Sequence, residues 1–348
     1  MKRRLLDRIA AEGPLPFDEY MQMCLYDESE GFFSAGRVRP GTVGDFVTSP
    51  EVSSWFGSAI GRWAAERVSA DGVVAEIGAG SGALLEGVAR EVAGTGNAVF
   101  AVELSASART TIADRVPTAT LVGSLGDVPA TDGSVVIANE VFDNMPARLV
   151  SRRDGAWQER VVSSDGDELV WSEPVADDVL AEWCDTYLAA AVDGAVYAAQ
   201  IDMTDWIAKT LSRSLCSLLA IDYAADTKTL GARLAPQVVR TFRSHREGSD
   251  PLAAPGEADL TVEVNSDVVA RATALAGATL TTSTQAEFLE RLGASDALAA
   301  LENSGFESAR SGDVMAQLGA KSDATNLRAL LDPTGLGGFT VFEIQSGT

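Results

Sequence analysis

The stretch from Val73 to Val88 limits the fold of this chain more than any other. Val73, Val74 and Ile77 are β-branched and follow the turn pair Asp71-Gly72, which predicts a short buried strand. Gly78, Gly80 and Gly82 then alternate, and an apolar run at helical spacing begins near Ala83. Glycine accepts φ > 0 and lets a ligand approach the backbone. The helix start offers free N–H groups at the positive end of its dipole.

Similar buried runs recur. Residues 98–103, 119–122, 135–138 and 217–223 read as strands, and 84–93 and 105–115 as helices between them. Strands of this fully apolar type, alternating with helices, predict a parallel sheet covered on both faces. With 348 residues and 46% hydrophobic content the chain can bury such a core. Helices are expected over 2–11 and 17–26, and a hairpin of 149–153 with 157–162 around Asp154-Gly155. Residues 176–215 read as mostly helical. Later strands are expected at 238–242 and 338–344, an extended stretch at 258–264, and helices near 266–276, 285–292, 296–303 and 312–318.

The glycine turn admits two ligands. Gly78-x-Gly80-x-x-Ala83 satisfies a relaxed dinucleotide fingerprint, so an NAD-dependent dehydrogenase is one reading. Glu76, two residues before the first glycine, argues for the other. A carboxylate there suits the α-ammonium of S-adenosylmethionine (SAM) and repels a pyrophosphate. Glu103 ends the second strand, near where an acidic side chain meets ribose hydroxyls in doubly wound sheets. The fourth strand leads into Asn139-Glu140-x-Phe142-Asp143-x-x-Pro146. An amide and two carboxylates at that mouth can align a nitrogen nucleophile and accept its proton, or hold a guanidinium. Thr48-x-x-Glu51 has capping-box spacing with Pro50 in the first turn, and is either an ordinary helix cap or a helix N-terminus aimed at an anion.

Composition removes several functions. Acidic residues outnumber basic ones 50 to 27, and the net charge of −23 repels nucleic-acid phosphates and anionic lipid. No nucleic-acid or membrane partner is expected. Cys24, Cys184 and Cys216 are far apart and form no C-x-x-C pair, so neither disulfides nor a thiolate zinc site is indicated. A single histidine, His245, excludes a multi-histidine metal site. No 18-residue apolar run and no signal-peptide pattern are present, and a cytoplasmic location is expected.

Beyond these spacings, the chain resembles the MidA-type family of SAM-dependent methyltransferases, whose mitochondrial members assist assembly of respiratory complex I. The resemblance runs through Gly44-Asp45-Phe46-x-Thr48-Ser49-Pro50-Glu51, the Glu76 to Gly82 turn, Glu103-x-Ser105 and the Asn139 to Pro146 mouth. It continues through Ile221-Asp222-Tyr223, His245-Arg246 and Asp259-Leu260-Thr261. It implies a doubly wound, seven-stranded class I methyltransferase (Rossmann-like) sheet with added N-terminal and inserted helical parts. The expected organisation is an N-terminal helical extension over 1–65 contributing to the SAM site, then a methyltransferase domain over 66–348 with insertions near 165–215 and 245–335. The resemblance implies SAM as cofactor and a protein substrate methylated on arginine. It places Thr48, Ser49, Pro50, Glu51, Glu76, Gly78, Gly80, Gly82, Glu103, Ser124, Leu125 and Asn139 around SAM. Glu140 and Asp143 would face the acceptor, with Asn139 and His245 beside them.

Five positions depart from the family pattern. Phe32-Phe33 replaces two tyrosines, Gly87 an acidic residue, Ala224 a glycine and Glu263 a histidine. Apart from Gly87, these changes gather on the acceptor side and give weight to another reading, an assembly factor that binds SAM without turnover. The sequence leaves oligomeric state open.

Overall fold

A computed structural model describes residues 1–33, 48–174, 176–243, 246–248 and 250–347. Its centre is a seven-stranded sheet of β1 (Val74–Ile77), β2 (Val99–Val102), β3 (Thr120–Val122), β4 (Ser134–Asn139), β5 (Cys216–Asp222), β6 (Thr279–Thr284) and β7 (Thr340–Gln345). The strand order is β6-β7-β5-β4-β1-β2-β3. Strands β3, β2, β1, β4 and β5 run parallel. β7 is antiparallel to both β5 and β6. The doubly wound α/β sheet expected from the buried runs is therefore present.

Register brings the site together. Ile77 stands opposite both Val102 and Ala138, and Asn139 opposite Ile221. The carboxyl ends of β1, β2, β4 and β5 therefore finish at one edge, where open α/β sheets hold ligands. Side chains alternate between two cores. Val73, Ala75 and Ile77 pack with Met203, Ile207 and Val268 on one face. Val74, Val99 and Ile137 pack with Phe56, Ile60 and Val88 on the other. Glu76 continues the row of Val74 and, at the strand's end, emerges beside the glycine turn.

Among the helices on that second face are α4 (Ser54–Ala65) and α5 (Ala83–Val92). They cross through Gly57 and Gly87: a Cβ on Gly87 would stand 2.6 Å from Gly57 Cα and 2.8 Å from the Ser58 nitrogen. This contact explains why Gly87 holds no acidic side chain, for none would fit.

The inserted parts differ from expectation in detail. The Asp154-Gly155 turn forms with φ of 51° and 81°, as a tight hairpin requires. Its strands, Arg148–Arg153 and Ala156–Asp165, belong to a four-stranded antiparallel sheet with Glu168–Ser172 and Val196–Ala199. So 176–215 holds helices at Asp178–Tyr187 and Ile201–Arg213 and also a strand between them. The short strand is set by pairing with Arg148–Arg153 rather than by its own alanine-rich residues. The N-terminal helices α1 (Lys2–Glu12) and α2 (Phe17–Tyr26) bury Leu5, Phe17, Tyr20 and Leu25 against Leu149, Val162 and Leu260. The helices expected near 296–303 and 312–318 are longer, an antiparallel pair at Ala294–Ser311 and Val314–Leu331. β6 went unread because its threonine-rich, exposed edge carries no apolar alternation. Among the described residues, no helix is long and apolar enough to cross a membrane, and no side-chain cluster could hold a metal ion.

The Gly57–Gly87 crossing yields a stability prediction. Gly87→Ala should lower the unfolding free energy by about 1–3 kcal/mol through overpacking, read from urea denaturation. An unchanged midpoint would show that α4 and α5 separate at no cost.

Candidate functional site

At the carboxyl edge of the sheet lies a cavity of about 430 Å³. One end is built by the glycine turn. Gly78, Gly80 and Gly82 have φ of 65°, 52° and 75°, the left-handed region that favours glycine. The Gly78 N–H donates to Val102 O at 2.8 Å and the Gly82 N–H to Ala79 O at 2.7 Å, so the loop is tightly wound before α5 begins. Glu76 stands beneath it, 4% exposed. Its Oε2 has no hydrogen-bond partner among the described residues. Burial, then the nearby Glu103, pushes its carboxyl well above the usual range. A buried acid with an unpartnered oxygen is costly, and a cation is the partner that would offset that cost most.

Glu103 closes the turn from outside. Its Oε2 accepts from Gly80 N at 2.9 Å and its Oε1 from Ser105 N at 2.8 Å. Each carboxylate oxygen keeps a lone pair for a further donor. From the N-terminal side comes the short helix α3 (Ser49–Val52). The expected capping box is not formed: Thr48 makes no side-chain cap, and the Glu51 carboxylate instead bonds the Ser81 hydroxyl of the glycine turn. The helix also breaks at Ser53, which caps α4 by accepting from Trp55 N at 3.3 Å.

The other end of the cavity is built where β4 ends. Asn139 Nδ2 donates to Glu140 Oε1 at 3.1 Å, while Asn139 Oδ1 lacks a partner among the described residues. Glu140 adopts φ of 52°, and its N–H donates to Ile221 O on β5 at 2.8 Å. A left-handed conformation costs a non-glycine residue about 1–2 kcal/mol, so the surroundings must hold it. Asp143 follows in the 3₁₀ turn Phe142–Asn144, 5% exposed, with Oδ1 unpartnered among the described residues. Burial raises Glu140 to about 7, with Asp143 adding to it. Burial likewise raises Asp143 to about 7, against the lowering effect of the nearby Tyr223 side chain and backbone N–H groups.

The structure gathers Thr48, Pro50, Glu51, Glu76, Gly78, Gly80, Asn139, Glu140 and Asp143 around this one cavity. Other expected residues lie off its lining. Ser49 is buried and donates to Gln285 Oε1 at 3.1 Å. Gly82 faces Ile112 and Arg115. Ser124 caps the 3₁₀ turn Leu125–Asp127, and Leu125 packs against the core under the sheet. His245 lies outside the described residues, as does the 44–47 part of the Gly44 to Glu51 block.

The acceptor-side lining includes residues that spacing did not assign to the site. Tyr223, Arg240, Thr261, Phe33 and Phe339 all border the cavity. The Tyr223 hydroxyl donates to Thr261 Oγ1 at 2.5 Å, and the Arg240 guanidinium lies 5.2 Å from the Tyr223 ring centroid. Tyr223 and Thr261 belong to blocks that carry the resemblance, which was the available signal; Arg240 had none. Glu263 does not border the cavity but pairs with Arg240 at 3.1 Å and Arg233 at 2.9 Å. Ala224 forms a short parallel pair with Val264 and has no positive φ, so alanine is unstrained there. Phe33 lies 5.5 Å from Tyr26 and 5.3 Å from the buried Phe32, ring to ring.

A family described as "Putative S-adenosyl-L-methionine-dependent methyltransferase" matches residues 57–284. The human mitochondrial protein arginine methyltransferase NDUFAF7 is 28% identical over 338 residues, 84% of this chain and 73% of that protein. Its Drosophila melanogaster homologue is 27% identical over 313 residues, covering 77% and 69% of the two chains. A solved Burkholderia thailandensis protein bound to S-adenosyl-homocysteine superposes with a TM-score of 0.81 at 27% identity, covering 99% of this chain and 91% of the other. The expected cytoplasmic location is overturned, since the curated relatives are named as mitochondrial. The lack of an apolar run and of a secretory pattern, from which that expectation comes, does not distinguish the two compartments.

The two acids raised to about 7 predict a stability change with pH. Each unfolded carboxyl titrates at about 4, so between pH 4 and pH 7 the folded state binds more protons than the unfolded one. These groups therefore stabilise the ligand-free fold fully below about pH 4 and lose that contribution as pH rises through 7. The Glu140→Gln/Asp143→Asn double variant should be more stable than wild type at pH 8 by at least about 1 kcal/mol, with the advantage vanishing near pH 4. Thermal or urea unfolding across pH checks this; parallel curves would refute it.

Proposed function

Because the chain belongs to this family of SAM-dependent methyltransferases, we propose that it methylates a nitrogen of a protein substrate, the arginine side chain. The convergence of Glu76, Glu140 and Asp143 on one cavity carries the reading. SAM, when bound, supplies an electrophilic methyl group and two cationic centres. Glu76 beside the glycine turn offers its carboxylate to the ammonium, and Glu103 its remaining lone pairs to ribose hydroxyls. Thr48, Pro50 and Glu51 bring the segment before residue 65 to the same site. This arrangement opposes a dinucleotide, because Glu76 would face the pyrophosphate.

Glu140 and Asp143 serve the acceptor. A guanidinium stays protonated in water and has no free lone pair. A carboxylate on one side localises its charge, and the opposite nitrogen becomes the nucleophile; the proton that nitrogen loses passes to Glu140 Oε. Cations at both ends of the cavity favour the ionised forms of these acids, opposing the effect of burial. The arginine assignment is supported by the names of the relatives, protein arginine methyltransferases at 26–28% identity.

Transfer of label from tritiated SAM to proteins of a lysate lacking the gene tests the reading. Wild type should label protein, and Glu140→Gln should lose about 100-fold or more in rate while binding SAM as before. Glu76→Gln should instead weaken SAM binding by about tenfold, or 1.4 kcal/mol, measured by calorimetry. Equal labelling by wild type and Glu140→Gln would remove Glu140 from the chemistry. Tight SAM binding with no labelled product in any lysate would make the chain a binding protein.

A further inference from the structure

The turn that carries Asp143 closes on itself through one backbone bond, Met145 N–H to Phe142 O at 3.3 Å, and is otherwise held from outside. Its backbone N–H groups at Phe142 and Asp143 have no partner within β4. Both donate to one side chain on the neighbouring strand: Asp222 Oδ2 accepts them at 3.0 and 3.2 Å. Asp222 Oδ1 accepts the Tyr223 N–H at 2.9 Å. Asp222 is the last residue of β5, 1% exposed, and does not border the cavity. It has no salt-bridge partner among the described residues. A buried carboxylate without a counter-cation is costly, and what it receives here is three backbone donors.

The rest of the turn is bracketed as well. Glu140 N–H reaches Ile221 O at 2.8 Å, so β5 grips both sides of the left-handed residue. At the far end Asn144 Nδ2 donates to Asp259 Oδ1 at 2.8 Å and to Leu260 O at 3.1 Å. Asp222 supplies the middle of this bracket. An apolar residue there would leave two buried N–H groups at the base of Asp143 unsatisfied, and the turn would rotate to recover them.

We propose that Asp222 is the positioning residue of the acceptor site: its carboxylate, by accepting the Phe142 and Asp143 N–H groups, sets the direction in which Glu140 and Asp143 face the cavity. It acts through those two residues and does not touch substrate. The inference rests on the methyltransferase reading of Glu140 and Asp143, but its geometric half can be measured without turnover.

The test compares Asp222→Ala and Asp222→Asn with wild type, with Glu140→Gln as a control. Alanine removes every acceptor, whereas asparagine keeps one oxygen for the paired N–H groups. Asp222→Ala should bind SAM within threefold of wild type, lose at least tenfold in labelling rate from tritiated SAM, and show faster hydrogen exchange at the Phe142 and Asp143 amides. Asp222→Asn should recover most of the rate and of the amide protection. If the alanine variant fails to bind SAM, Asp222→Leu, which keeps the branched shape of the side chain but offers no acceptor, carries the same comparison. Unchanged exchange at Phe142 and Asp143 overturns the proposal, as does wild-type labelling by Asp222→Ala while Glu140→Gln is inactive. If Glu140→Gln labels as well as wild type, the catalytic reading fails and the exchange measurement alone decides the role of Asp222.

Discussion

Four carboxyl side chains, Glu76, Glu140, Asp143 and Asp222, stand at the ends of three adjacent parallel strands without a salt-bridge partner among the described residues. Taking such groups out of water is unfavourable, and each is pushed toward its neutral form. The arrangement is stable only because protein backbone, or an arriving cation, meets the oxygens. Asp222 is met by backbone and is complete in the ligand-free chain. Glu76 and Asp143 each retain an unmet oxygen. That difference separates the residue that shapes the site from those that wait for its occupants.

The same edge concentrates left-handed backbone, strained only at the non-glycine Glu140. Three glycines with positive φ and the left-handed Glu140 lie at the ends of β1 and β4. Each is fixed by a hydrogen bond to a neighbouring strand, to a side chain or within the turn: Gly78 to Val102, Glu140 to Ile221, Gly80 to the Glu103 carboxylate, Gly82 to Ala79. Such strain persists where surrounding structure over-determines it. Here the surroundings are the central strands, whose residues are almost fully buried and pinned by two opposed cores.

The central strands were legible because burial on both faces demands continuous apolar runs, and β1, β2, β4 and β5 show them. Strands outside that regime were not. β6 is an exposed, threonine-rich edge, and Val196–Ala199 becomes a strand only by pairing with Arg148–Arg153. At the site, Glu76 and Gly78 were readable because turn chemistry is local. The Thr48–Glu51 box stays open between a helix cap and an anion-facing helix start for the opposite reason. Its spacing permits a cap, but Glu51 finds Ser81 across a gap of thirty positions in sequence.

By itself, then, the sequence determined the sheet type, the glycine turn and the presence of acids at strand ends, since each depends on residue type and short-range spacing. Only the tertiary structure decided which acids share a cavity, that Glu263 faces Arg233 and Arg240, and that Asp222 braces the turn of Asp143. Those outcomes depend on register between strands far apart in the chain. Register is set by how the two cores pack, a property of the whole fold that no local stretch encodes.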